Sequence, residues 1–189
     1  MDKLLTKPIP LGEDSNLGDG VIALYSGGCI NVFDPNPKDV DIRDIAHALS
    51  NQCRFTGHTS EFYSVAQHSV HVSEICPPEH AGWGLLHDAS EAYLSDIARP
   101  IKKHPDFGPF YLKVEARLTE AIMLHFGLDP YVEPKEVYEA DDILIRTEAR
   151  DLMSTGITVP DGVMLQDPIV PWTPKKAYGE FMIRFMEVL

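Results

Sequence analysis

Hydrophobic positions fall into two spacings along this chain. Val21-Ile22-Ala23-Leu24-Tyr25 and Cys29-Ile30-Asn31-Val32-Phe33 are short apolar runs flanking Ser26-Gly27-Gly28, the pattern of a β-hairpin. Asp34-Pro35-Asn36-Pro37 breaks the chain, and the period then changes. Ile42, Ile45, Ala46 and Leu49 recur at intervals of three and four, which predicts one buried face of a helix. Further helices are expected over about 62–75, stopped by Pro77-Pro78, and over about 79–96, before an Arg99-Pro100 break. Residues 102–109 read as a loop, followed by helices over about 110–126, with Gly127 as the stop, and about 134–153. Thr173-Pro174 resembles a helix cap with proline in the first turn and opens a terminal helix to Leu189. Residues 1–20 and 156–171 are rich in chain breakers, lack periodicity and are expected to be irregular. The fold class expected is mostly α with a small N-terminal β-hairpin. It forms a single domain over 1–189: an arm and hairpin over 1–40, a helical core over 41–155, and an irregular segment with a C-terminal helix over 156–189.

Composition narrows the function classes. At 189 residues the chain can bury a core without disulfides. Cys29, Cys53 and Cys76 are odd in number and show no paired spacing, which points to reduced thiols and a cytoplasmic setting. No signal peptide or spanning apolar stretch is evident, so no membrane partner is expected. A formal net charge of −13 argues against binding long nucleic acid, which needs Lys and Arg to neutralise phosphates. A small nucleotide needs only a few well-placed cations, so the balance points to a small-molecule substrate.

The chemistry concentrates in a few polar residues. His87-Asp88 lies within the apolar-flanked stretch 83–92, His68 on the preceding helical stretch, and Asp141 on the 134–153 helix. Two imidazoles and two carboxylates form a mixed nitrogen and oxygen set that suits a divalent metal such as Mn, Co, Zn, Fe, Ni or Mg. Water on such a metal becomes a usable hydroxide near neutral pH, a usual route to phosphate-ester hydrolysis.

The order His68, His87-Asp88, Asp141 resembles the H…HD…D signature of the HD-domain metal-dependent phosphohydrolases. The block from His87 through Glu91 to Asp96, with Pro100-Ile101-Lys102 after it, is similar to that of the bacterial 5′-deoxynucleotidases in this superfamily. So are Cys53-Arg54-Phe55, Val65-Ala66-Gln67-His68-Ser69 and Ala140-Asp141, and the resemblance covers about residues 45–153. The phage dATP triphosphohydrolases are also similar in general pattern. The resemblance implies an all-α bundle around one divalent metal held by His68, His87, Asp88 and Asp141. It implies Glu91 and Asp96 as the catalytic carboxylates, Asp96 being the stronger candidate for general acid/base work. Arg54 would grip phosphate with its forked guanidinium, and Phe55 would lie against sugar or base; His58, in the segment 54–59 that adds to the nucleotidase pattern, and Lys102 would help hold further phosphates. A deoxynucleotide substrate and a homo-oligomer are implied as partners. The activity expected is that of a 5′-deoxynucleotidase or a dATP-type triphosphohydrolase, the alternative being a nucleotide-sensing module with little hydrolysis.

Other polar residues read more simply. His47, His71, His80, His104 and His125 are read as surface or packing residues, and Glu148 and Arg150 as pairs on the face of the 134–153 helix. The apolar side of the terminal helix, with Phe181 and Phe185, is read as packing on its own domain.

Overall fold

The computed structural model describes residues 19–153, 158–159 and 161–189, so expectations for 1–18, 154–157 and 160 lie outside the described residues. The hairpin is present: β1 (Val21–Ala23) pairs antiparallel with β2 (Cys29–Asn31), with Ile22 opposite Ile30. Gly27, at φ 88°, takes the left-handed position that closes the turn. Ile30 is buried under the hairpin, and Asp44 ties its tip down. That carboxylate accepts from the Ser26 backbone N–H at 2.7 Å and the Ser26 hydroxyl at 2.8 Å.

Asp44 belongs to α1 (Ile42–Asn51), whose inward face is Ile45, Ala46 and Leu49 as the spacing predicts. The second helix starts later than expected. In α2 (Val65–Ile75) the Ser64 hydroxyl accepts from the Gln67 N–H at 3.1 Å, so the cap lies at 64 rather than near 62. This helix is the centre of the molecule: it contacts α1, α3 (Ala81–Leu86), α7 (Lys135–Leu152) and α8 (Pro174–Val188). Enclosed on several sides, α2 buries Val65, Ala66, Val70 and Val72 together with Gln67, His68, Ser69 and Ser73. Its polar residues are therefore obliged to find partners indoors.

The helix expected over 79–96 is not continuous. It divides into α3 and the single turn α4 (Glu91–Leu94), joined by tightened bonds from Ala89 N–H to Leu86 and from Glu91 N–H to Asp88. The Arg99-Pro100 break is itself a short helix, α5 (Arg99–Lys102), with proline in its first turn where no N–H is needed. Then α6 (Gly108–Phe126) ends at Gly127 in the left-handed conformation, with the Leu128 N–H returning to Met123. The Thr173 hydroxyl caps α8 as expected, accepting from Lys176 N–H at 3.3 Å. Among the described residues no helix is long and apolar enough to cross a membrane.

Candidate metal centre and cavity

Two helices and one interhelical turn deliver the polar cluster. His68 lies one turn into α2 and is fully buried; His87 and Asp88 sit where α3 ends; Asp141 lies mid-way along α7. The Nε2 atoms of the two imidazoles face one another at 3.3 Å. Asp141 Oδ1 lies 3.3 Å from His68 Nε2, while Asp88 Oδ2 lies 3.3 Å from His87 Nε2 and 3.5 Å from His68 Nε2. Ligand atoms of His68, His87 and Asp141 all fall within 4.8 Å of one another, so this group could hold a metal ion.

The far side of each ring supports that reading. Nδ1 of His87 donates to the Gly84 carbonyl at 2.7 Å, an oxygen that can only accept. Nδ1 of His68 donates to Glu148 Oε1 at 2.6 Å. Both neutral rings would then present an Nε2 lone pair to one point, the arrangement that metal-binding histidines adopt. Two such lone pairs at this distance repel unless a proton or a cation stands between them. The donor set fits a metal.

Electrostatics follow from the crowding. Burial disfavours the His87 cation, but Asp88 and Asp141 outweigh it and push the imidazole up to about 9. Burial would also raise Asp88, yet His87, His68 and Arg54 hold its carboxylate well below the usual range. Glu148 is likewise lowered against its burial, by Arg54 and His68.

Glu148 is the residue that sequence reasoning missed. Expected on the surface beside Arg150, it has no exposed area and joins two of the expected site residues. One oxygen accepts from His68, and the other lies 3.4 Å from Arg54 Nη2. Arg150, by contrast, stays at the surface with Asp151 and the Leu165 carbonyl. The signal lay in spacing: Glu148 is two helical turns beyond Asp141, on the face that also carries buried Leu144.

Beside the cluster opens a cavity of about 700 Å³. Asp88 and Asp141 reach its wall, as do Arg54, Phe55 and His58 from one side. Glu91, Asp96, Arg99 and Lys102 reach it from the other, and Ile97, Ile145 and Met153 give it an apolar side. Every site residue expected from the sequence, apart from the two buried imidazoles behind the wall, therefore lines one space. Arg54 is buried and engaged, with Nη1 3.2 Å from Asp88 Oδ2, and its Nε is buried without a partner. Lys102 Nζ bridges Glu91 at 3.0 Å and Glu115 at 2.8 Å. Glu91 is pushed up to about 8 by burial and by Asp88 and Asp96, with Lys102 and Arg54 pulling the other way.

Local backbone aims two of these groups. Gln52 donates to the Glu91 carbonyl at 3.0 Å and accepts from the Asp96 N–H at 3.3 Å, clamping both ends of the 91–96 segment. Ser95, between them, has φ 68°. On the opposite wall Phe55 and Thr56 are left-handed at φ 53° and 54°, where a β-branched Thr is costly. His71, expected at the surface, is half-buried, its ring 3.3 Å from the Gln67 amide and beside Trp172.

The fold and cluster together define a mostly α protein with a partly buried His/carboxylate group on the wall of a cavity. No family model matches the sequence. The chain is 42% identical over 172 residues to the uncharacterized protein YfdR of Escherichia coli, covering 88% of this chain and 94% of that protein. It is 37% identical over 161 residues to an uncharacterized protein of Rhodobacter capsulatus, covering 78% of this chain and 81% of the relative. The chain belongs to the family of YfdR.

Proposed function

We propose that this protein is a metal-dependent phosphohydrolase of the HD-domain type acting on deoxynucleotides, as a 5′-deoxynucleotidase or a dATP-type triphosphohydrolase. One observation carries the reading: His68, His87, Asp88 and Asp141 converge at the wall of a cavity that also collects Arg54, Glu91, Asp96 and Lys102. Those four residues would hold one divalent ion, among Mn, Co, Zn, Fe, Ni and Mg. Such an ion, when bound, supplies Lewis acidity toward a phosphoryl oxygen and a water acidic enough to act as nucleophile.

The chain's own residues do the rest. Arg54 presents a fixed guanidinium toward the charge of a phosphoryl group, already oriented by Asp88 and Glu148. Glu91, protonated near neutrality, can give a proton to a leaving oxygen, while Asp96, held by Gln52, can orient or accept a proton from water. Phe55 and the apolar Ile97, Ile145 and Met153 side offer a dry surface for sugar or base. Arg99 and Lys102 are the cations near any further phosphates, and His58 is a further hydrogen-bonding group there.

The test is a product assay with dAMP, dADP and dATP in manganese, cobalt and magnesium, using wild type and His87→Ala. Phosphate from dAMP identifies the nucleotidase, and triphosphate from dATP the triphosphohydrolase, with either activity lost in His87→Ala. Nucleotide binding without turnover by metal-loaded protein replaces this reading with that of a sensor.

A further inference from the structure

Glu148 is fully buried and does not line the cavity, yet behind the cavity wall it contacts both His68 and Arg54. Its Oε1 accepts from His68 Nδ1 at 2.6 Å, and its Oε2 lies 3.4 Å from Arg54 Nη2. His68 in turn has no exposed area, so its ring is held by what surrounds it rather than by water. Tyr63 is also fully buried, its hydroxyl without a hydrogen-bond partner.

We infer that Glu148 is a positioning residue that fixes the tautomer of His68 and the orientation of Arg54 with one buried carboxylate, coupling the metal-binding cluster to the cationic wall of the cavity. The inference rests on the metal-binding part of the reading above. A carboxylate at this place leaves Nδ1 of His68 as the protonated nitrogen and turns Nε2 toward His87 and Asp141. The same charge compensates a guanidinium whose other anionic partner among the described residues is Asp88. An isolated cation so deeply buried is strongly disfavoured. Its length matters as well: a side chain one methylene shorter cannot keep both contacts.

Glu148→Gln retains the size and one acceptor oxygen but turns an amide NH2 toward either His68 or Arg54, both donors. The first measurement is binding of manganese alone, followed by electron paramagnetic resonance of the free ion. Glu148→Gln is expected to weaken binding about 10–100-fold relative to wild type. The absorption spectrum of the cobalt-loaded variant is expected to change as well. A role confined to packing would lower the melting temperature and leave affinity and spectrum alone, and that result overturns the inference.

The second measurement needs no variant. Nitrogen-15 NMR of the wild-type imidazoles, with and without metal, is expected to show His68 protonated at Nδ1, and protonation only at Nε2 overturns the inference. If wild type binds no metal while His68 is Nδ1-protonated, the metal reading fails and the orienting role of Glu148 stands.

Discussion

The carbonyl of Gly84 accepts from Nδ1 of His87, and the residue that supplies it has no room for a side chain. A Cβ there would lie 2.8 Å from Cys76 Sγ and 3.2 Å from the Ser73 Cα, the second of these being backbone of α2. Gly84→Ala must push α3 away from α2 and take the His87 ring with it. The expected cost is about 1–3 kcal/mol of stability, with a larger proportional loss of stabilisation by manganese. Urea unfolding with and without the metal checks both. An unchanged metal increment in a destabilised variant would show that His87 tolerates the shift.

Metal affinity should depend steeply on pH. In the metal-free protein His87 is raised to about 9 and His68 is raised too, so a metal must displace at least one proton at neutral pH. Apparent affinity for manganese is expected to rise about tenfold per pH unit up to about 9 for each proton displaced. The metal-free protein moves the opposite way. The stabilising contribution of a raised histidine is fully present below the unfolded value of about 6.5 and is lost as pH rises through about 9. Calorimetric titrations in buffers of different ionisation enthalpy count the protons released. A flat affinity between pH 6.5 and 9 contradicts a protonated His87 in the metal-free protein.

Lys102 restrains the upward shift that burial, Asp88 and Asp96 impose on Glu91. Removing the ammonium that lies 3.0 Å from its carboxylate takes away a charge that favours ionisation. Lys102→Met is therefore expected to move the Glu91 titration above about 8, by about 1 unit or more. In the proposed hydrolase, where Glu91 acts as an acid, the alkaline limb of kcat/KM moves up with it. A limb that stays in place assigns the acid to another group.

The left-handed Thr56 invites a stabilising change. Its side chain is exposed, so little packing is lost in Thr56→Gly. Relief of an L-residue in this conformation is worth about 1–2 kcal/mol, against about 0.5–1 kcal/mol for glycine's freer unfolded chain. A gain of up to about 1 kcal/mol in denaturant unfolding is expected. A loss would mean that the Thr56 side chain makes a contact worth more than the strain.

Local signals explain what was legible in the sequence. The hairpin, the inward face of α1, the Gly127 stop and the Thr173 cap each depend on residues within a few positions of one another. The break between α3 and α4 has no such local cause. Ala89, Glu91 and Ala92 favour a helix, and the turn is held instead by Gln52, 39 residues earlier than Glu91. Glu148 escaped for a related reason, since a charged residue on a polar-looking helix is ordinarily solvated and only the enclosure of α2 makes it internal. The metal-ligand candidates were readable because their types and order carried the resemblance. Their engagement with Arg54 and Glu148 is a product of folding at long range.

The contact from Glu148 to His68 spans 80 residues of chain and that to Arg54 spans 94. Ordering so large a loop must be compensated before either bond contributes to stability. A nascent or truncated chain ending before α7 already contains both imidazoles and the Asp88 carboxylate. It lacks the group that tells His68 which nitrogen to protonate, and lacks Asp141 as well. The site is therefore incomplete in any fragment that stops short of α7, although such a fragment already carries most of its ligand candidates.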